Sequence, residues 1–278
     1  MAPLNVIEDS QVVWHCDNDP QVSKLLNYHH PDIPNLGDVT KINFNEVGAV
    51  DILTAGYPCQ PFSTQGSRTG DKHEQYLFDY VRSAISALRP KFTLLENVPG
   101  HRTLGFDRVF AGLAADGLYA RWVYLRASEV GTPHGRGRFF ILVSETPDTR
   151  SLGLQQVGLS WEPKKNVSPT SNSELLLSDA DADDIWDKWA GSISHWESIL
   201  GRKAPLAVEK WRDNKKPRIT IEFLEWMMGL PKGLVSDPDI KIAHSHKKKI
   251  IGNGVCPQQA IIALKYLLDD SNFGIINA

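Results

Sequence analysis

Apolar and polar positions alternate along the first half of the chain in two periods. The short runs 10–16 (SQVVWHC), 49–56 (AVDILTAG), 91–98 (KFTLLENV), 121–127 (RWVYLRA) and 137–144 (GRFFILVS) read as strands. Between them, 19–30 (DPQVSKLLNYHH), 74–90 (EQYLFDYVRSAISALRP) and 107–120 (DRVFAGLAADGLYA) place apolar residues at helical spacing. This alternation predicts an α/β fold with a mostly parallel sheet covered by helices. In such sheets ligands gather at the carboxyl ends of the strands. Cys59 and Glu96 both follow predicted strand ends, so one crevice can hold both.

The pattern breaks after Pro147. From about 148 to 218 the chain is polar and irregular, with a loop-like NVSPTSNSE and an acidic SDADADDIWDKW. Trp161, Trp186, Trp189, Trp196 and Trp211 recur there and are expected to fill the core of a small separate lobe. Residues 220–233 read as a compact helix ending at Gly229, and 252–270 as a glycine turn followed by a helix with Pro257 in its first turn. No repeat is visible. The expected organisation is a main domain over 1–147, a lobe over 148–245, and a segment over 246–278 that returns to the main domain.

Composition narrows the function classes. The cysteines number three, Cys16, Cys59 and Cys256, far apart and with no CxxC pair. That spacing argues against a disulfide framework and against a metal site. It suits a reducing, cytoplasmic compartment, where a free thiol can serve as a nucleophile. The N-terminal residues lack the basic start and apolar core of a secretion signal, and no apolar run approaches a membrane span. The net charge of -3 argues against a uniformly basic protein. Basic residues are concentrated locally instead. Arg202, Lys203, Lys210, Arg212, Lys215, Lys216 and Arg218 crowd one segment, and Lys247, Lys248 and Lys249 another. Such runs suit either a polyanion or a solvated surface.

Three stretches carry candidate chemistry. In GYPCQPFSTQG (56–66) a thiol, Cys59, sits on a Gly/Pro/Ser-rich turn at a strand tip. Backbone amides and hydroxyls there can stabilise a thiolate, although a free cysteine also serves as a small buried hydrophobe. In ENV (96–98) a carboxylate directly follows an apolar run, where partial desolvation raises its pKa and lets it hold or donate a proton. In PHGRGRFFIL (133–142), Arg136 and Arg138 share one face of an extended segment, a pairing suited to phosphate or to a base carbonyl.

PCQPFS, then ENV, then an arginine pair before an apolar strand, then GNGV near the end: this ordered set resembles the DNA (cytosine-5) methyltransferases. The resemblance covers residues 11–144 and 217–268. It implies a Rossmann-like, S-adenosylmethionine-dependent sheet with a small target-recognition lobe. Cys59 would attack carbon 6 of a cytosine flipped out of double-stranded DNA, raising electron density at carbon 5. Glu96 would bind the ring at N3 and the amino group, Arg138 the carbonyl O2, and Arg136 would position the loop or a phosphate. Asp17 would hold the cofactor ribose, with Asn18 and Asp38 near the adenine. Pro58, Leu77 and Asn253 match positions lining the cofactor pocket. Gln60, Ser63, Lys215, Lys216 and Arg218 would face the DNA, the cations mostly meeting phosphates.

The sequence also departs from that family. No glycine precedes Gly37, so the Phe-x-Gly-x-Gly turn that cradles the cofactor's methionine part has no counterpart. The expectation is an N-terminally truncated sheet, completed by an upstream segment or a second chain, or left weak in cofactor binding. His134 stands where the family often has glutamine. Two further readings stay open at this point: a catalytically impaired DNA-binding relic or decoy, and the same chemistry on RNA.

Overall fold

A computed structural model describes residues 6–57, 77–102, 105–149, 186–210 and 217–272. Four strands form its main sheet: β1 (Ile52–Gly56), β2 (Phe92–Asn97), β3 (Tyr119–Arg126) and β4 (Gly137–Ser144). They lie in the order β1-β2-β4-β3. β1 runs parallel to β2, whereas β4 is antiparallel to both β2 and β3. The sheet is therefore mixed rather than mostly parallel. The link from 127 to 136 is too short for a parallel crossover, which needs about a dozen residues or more. It folds instead as a 3-10 turn closed by Gly131 at φ +93°.

Every residue of β4 is buried, as expected of a central strand covered on both faces. On one face, helix α7 (Pro257–Leu268) sets Ala260, Ala263, Leu264 and Leu267 against Phe92, Leu94, Phe140 and Leu142. On the other, α2 (Leu77–Leu88) and α3 (Phe106–Ala115) bring Phe78, Val81, Ile85, Val109 and Leu113 onto Leu95, Ile141 and Val143. Apolar residues alternate between the two cores along β2 and β4, which fixes their register. The result is the helix–sheet–helix layering of an α/β fold.

Helix α1 (Pro20–His29) begins as its sequence dictates. Asp19 caps it by accepting a hydrogen bond from the Gln21 amide at 2.8 Å, and Pro20 occupies the first turn. The strand expected over 10–16 reduces to one bridge between His15 and Asn35. Val13 stays half exposed, whereas Trp14 packs against the core on the α2 side of the sheet.

The tryptophans behave as core filling. Trp196 of α4 (Ala190–Leu200) and Trp226 of α5 (Ile221–Met227) are fully buried with Ile193, Ala207 and Phe223, and Trp186 and Trp189 pack against them. Trp196 Nε1 donates to the Trp226 carbonyl at 2.9 Å. Trp161 and Trp211 lie outside the described residues. The helix expected to end at Gly229 does so: α5 closes at Met227, and Gly229 turns the chain at φ +65°. A two-stranded ribbon, β5 (Val208–Glu209) and β6 (Arg218–Ile219), precedes α5. A last cluster of Leu25, Ile221, Met228, Val235, Ile242 and Ile251 ties α1 and α5 to α6 (His244–Asn253). Among the described residues no helix is long and apolar enough to cross a membrane.

Candidate active site and cofactor cavity

β1 and β2 end side by side, with Gly56 paired to Glu96. A β-carbon at position 56 would lie 3.2 Å from Glu96 Oε2, so glycine there leaves room for the carboxylate. Asn97 Nδ2 donates to the Tyr57 carbonyl at 3.1 Å and ties the two strand exits together. Tyr57 is the last described residue before the turn that carries Cys59. Pro58, Cys59, Gln60 and Ser63 lie outside the described residues. Burial pushes the thiols of the two described cysteines, Cys16 and Cys256, each up to about 11, which disfavours their thiolates.

The antiparallel pairing of β2 with β4 places Glu96 opposite Phe140. Arg138, two residues before Phe140, therefore projects from the same face and reaches Glu96 diagonally. Arg138 Nε lies 2.5 Å from Glu96 Oε1, both side chains being largely buried. The two groups form a buried ion pair. Arg138 Nη1 also donates to the Gly137 carbonyl at 2.7 Å. Burial raises the Glu96 pKa above the usual carboxylate value, against the opposing pull of Arg138 and Arg136. The carboxyl thus holds a proton more readily than a surface glutamate, as its place at a strand end implies.

Arg136 does something else. Its Nη1 and Nη2 donate to the carbonyls of Gly252 and Gly254, each at 2.7 Å. This fork clasps the turn between α6 and α7, at which Asn253 stands exposed. Gly137 between the two arginines leaves room for Tyr124, whose Oη would lie 2.1 Å from a β-carbon there.

His134 completes the approach to β4. Its Nε2–H donates to the Met227 carbonyl at 3.1 Å. Burial, reinforced by the charges of Arg136 and Arg138, lowers its pKa from 6.5 to about 4, so the ring is neutral at pH 7. The unfolded chain binds this proton between pH 6.5 and 4 and the folded chain does not. Stability contributed by the neutral ring is full above pH 6.5 and is lost as pH falls toward 4, on the order of 3 kcal/mol in all. His134→Gln keeps a donor for Met227 and removes the titration. Its melting temperature is expected to fall less than the wild-type value between pH 7 and 4.5, as calorimetry across that range would read.

Asp17, Asn18 and Asp38 come together on one open cavity of about 730 Å³, with Ser23, Lys24 and Gly37 also on its walls. Asp17 Oδ1 accepts from the Asp19 amide at 2.8 Å. Its carboxylate retains further acceptor sites suited to paired hydroxyls. Asp38 accepts from the Thr40 amide at 3.0 Å and the Thr40 hydroxyl at 2.8 Å, and these bonds hold its carboxyl below the usual value. Leu77 opens α2 and Asn253 closes α6, and neither lies on this cavity. Arg218 pairs with Glu209 at 2.7 Å, so its charge is shared within the ribbon. Lys215 and Lys216 lie outside the described residues. No group of three or more His, Cys, Asp or Glu side chains is placed to hold a metal ion among the described residues.

Comparisons with known proteins bear on family and fold. The family described as C-5 cytosine-specific DNA methylase matches residues 3–199. The Type II methyltransferase M.NgoBV of Neisseria gonorrhoeae is 34% identical over 258 residues, which are 80% of this chain and 59% of that protein. M.NlaIV of Neisseria lactamica is 28% identical over 256 residues, 79% of this chain and 59% of that protein. The chain thus spans 59% of the length of these curated relatives. Among solved structures, the Dnmt2 methyltransferase of S. pombe shares the fold with a TM-score of 0.62 at 16% identity, over 96% of this chain and 93% of that one. A sequence profile over most of the chain, a relative of one-third identity and a shared mixed α/β fold converge: the chain belongs to the C-5 cytosine-specific DNA methylase family.

Proposed function

We propose that this chain transfers a methyl group from S-adenosylmethionine to carbon 5 of cytosine in double-stranded DNA, through a covalent bond to Cys59. The observation that carries the reading is the buried Glu96–Arg138 pair at the end of β2, where Glu96 is paired with Gly56, three residues before Cys59 in the sequence.

The residues divide the work. The target base must leave the stack to reach a site at strand ends, at a cost of roughly a few kcal/mol. The Cys59 thiolate adds to carbon 6, and the ring's electrons move toward carbon 5. Glu96, which burial lets take up a proton more readily than a surface carboxyl, donates it to N3 and neutralises the charge that develops there. Arg138 holds the O2 carbonyl. When bound, the cofactor supplies an electrophilic methyl group. Loss of the carbon 5 proton and departure of Cys59 then restore the aromatic ring. Arg136 acts at one remove, fixing the α6–α7 turn behind the site.

The residues on the cavity fit the cofactor. Asp17 offers acceptors to ribose hydroxyls, and Asn18 and Asp38 offer polar contacts to an adenine edge. On this reading residues 1–147 form the catalytic domain, 148–245 the target-recognition lobe and 246–278 the returning segment, with α7 sealing the sheet. Gln60, Ser63, Lys215, Lys216 and Arg218 would contact DNA, and Pro58, Leu77 and Asn253 would flank the cofactor.

Titration with S-adenosylmethionine by calorimetry tests the reading. Micromolar binding is expected. DNA binding without any cofactor binding would instead favour a DNA-binding protein that does not catalyse.

A further inference from the structure

One amide side chain joins three walls of the cavity. Asn35 Oδ1 accepts from the Asp17 amide at 2.9 Å and from the Gly37 amide at 3.2 Å. Asn35 Nδ2 donates to the Asp17 carbonyl at 2.9 Å and to Ser23 Oγ at 2.9 Å. Asp17, Ser23 and Gly37 all lie on the cavity, and they come from three separate pieces of chain: the loop before α1, the helix itself, and the turn leading to Asp38. The backbone around Asn35 adds only the two bonds of an isolated bridge, His15 amide to Pro34 carbonyl and Leu36 amide to His15 carbonyl. No ladder of strand hydrogen bonds holds Asp17 at its distance from Asp38. Beside one bond from the Cys16 thiol to the Gly37 carbonyl at 3.2 Å, the Asn35 side chain supplies that tie among the described residues, with both donors and both acceptor positions engaged.

We propose that Asn35 is a positioning residue for the cofactor. It sets the Asp17–Asn18 loop against the Gly37–Asp38 turn, so that the ribose-side and adenine-side contacts are in register before the cofactor arrives. This rests on the cofactor reading above. The physical reason is preorganisation: a site held ready binds without first ordering its own loops. A side chain that touches backbone on both sides fixes a distance that neither loop can fix alone. The chemistry at Glu96 and Arg138 lies on other elements and does not depend on it.

Asn35→Ala removes all four bonds. Asn35→Asp keeps the bonds to the Asp17 and Gly37 amides but turns the donor into an acceptor facing the Asp17 carbonyl, and so tests the link if the alanine variant folds poorly. In both variants the dissociation constant for S-adenosylmethionine is expected to rise, about tenfold in Asn35→Ala. The KM for the cofactor should rise with it. The kcat at saturating cofactor and the cofactor-free affinity for duplex DNA should stay within about twofold, a split that general loss of structure would not give. Unchanged cofactor affinity in both variants, or an equal fall in kcat, overturns the proposal. A wild-type chain that binds no S-adenosylmethionine overturns the cofactor reading itself and this inference with it, and that result appears before any substitution is made.

Discussion

Cys59→Ser is expected to abolish methyl transfer while duplex DNA still binds with near wild-type affinity. The size of the effect follows from the nucleophile. A cysteine thiol of ordinary pKa gives a few per cent thiolate near neutral pH, and a turn rich in amides raises that fraction. A serine hydroxyl is essentially never ionised there. Loss of at least about a thousandfold in kcat is the expected outcome, read by incorporation of labelled methyl into DNA. The other two thiols are engaged elsewhere. Cys16 donates its proton to the Gly37 carbonyl at 3.2 Å, and Cys256 is fully buried. A kcat for Cys59→Ser within about tenfold of the wild-type value would remove this residue from the mechanism.

Glu96→Gln carries the second large effect, about a hundredfold or more in kcat. Glutamine preserves the shape and can still donate a hydrogen bond to N3, but it has no proton to give. It also leaves the buried Arg138 guanidinium without its counter-charge. Breaking such a pair from one side costs about 3–5 kcal/mol. A fall in melting temperature should therefore accompany the fall in rate. The two effects separate by pH. Because burial raises the Glu96 pKa, the wild-type kcat should decline on the alkaline side as this carboxyl loses its proton. The glutamine variant should lack that limb. A variant that loses stability but keeps both the rate and the limb would show that Glu96 only neutralises Arg138.

Much of the framework was legible because it obeys simple periodicities. α2, α3 and α7 show apolar residues at helical spacing, and β4 is an unbroken apolar run because both its faces are covered. What failed did so for physical reasons. Strand direction is not encoded in an apolar run. Only the short 127–136 connection hinted that β3 and β4 are antiparallel. Helix α6 went unread because HSHKKKIIGN is mostly polar. It buries only Lys247, whose Nζ donates to the Asp237 carbonyl at 2.9 Å, and Ile251. The run at 10–16 looked like a strand, but among the described residues only His15 finds a strand partner.

The site divides in the same way. Glu96 and Arg138 were legible because chemistry demands those residue types, and the β2–β4 register then brought them together. Arg136 was recognised as part of a pair, yet its fork onto Gly252 and Gly254 depends on a turn more than a hundred residues away. Asn35 escaped notice because its bonds reach backbone and side-chain atoms that the sequence does not place beside it. The only local sign was an asparagine before a glycine turn, which is common in loops of no special function.

The central claim is methylation at carbon 5 of cytosine. The most direct test incubates the chain with S-adenosylmethionine carrying a labelled methyl group and unmethylated duplex DNA, hydrolyses the DNA to nucleosides and identifies the labelled one by mass spectrometry. The account predicts label in 5-methyldeoxycytidine. Label on an exocyclic amino group, or none from a chain that binds both cofactor and DNA, would contradict it.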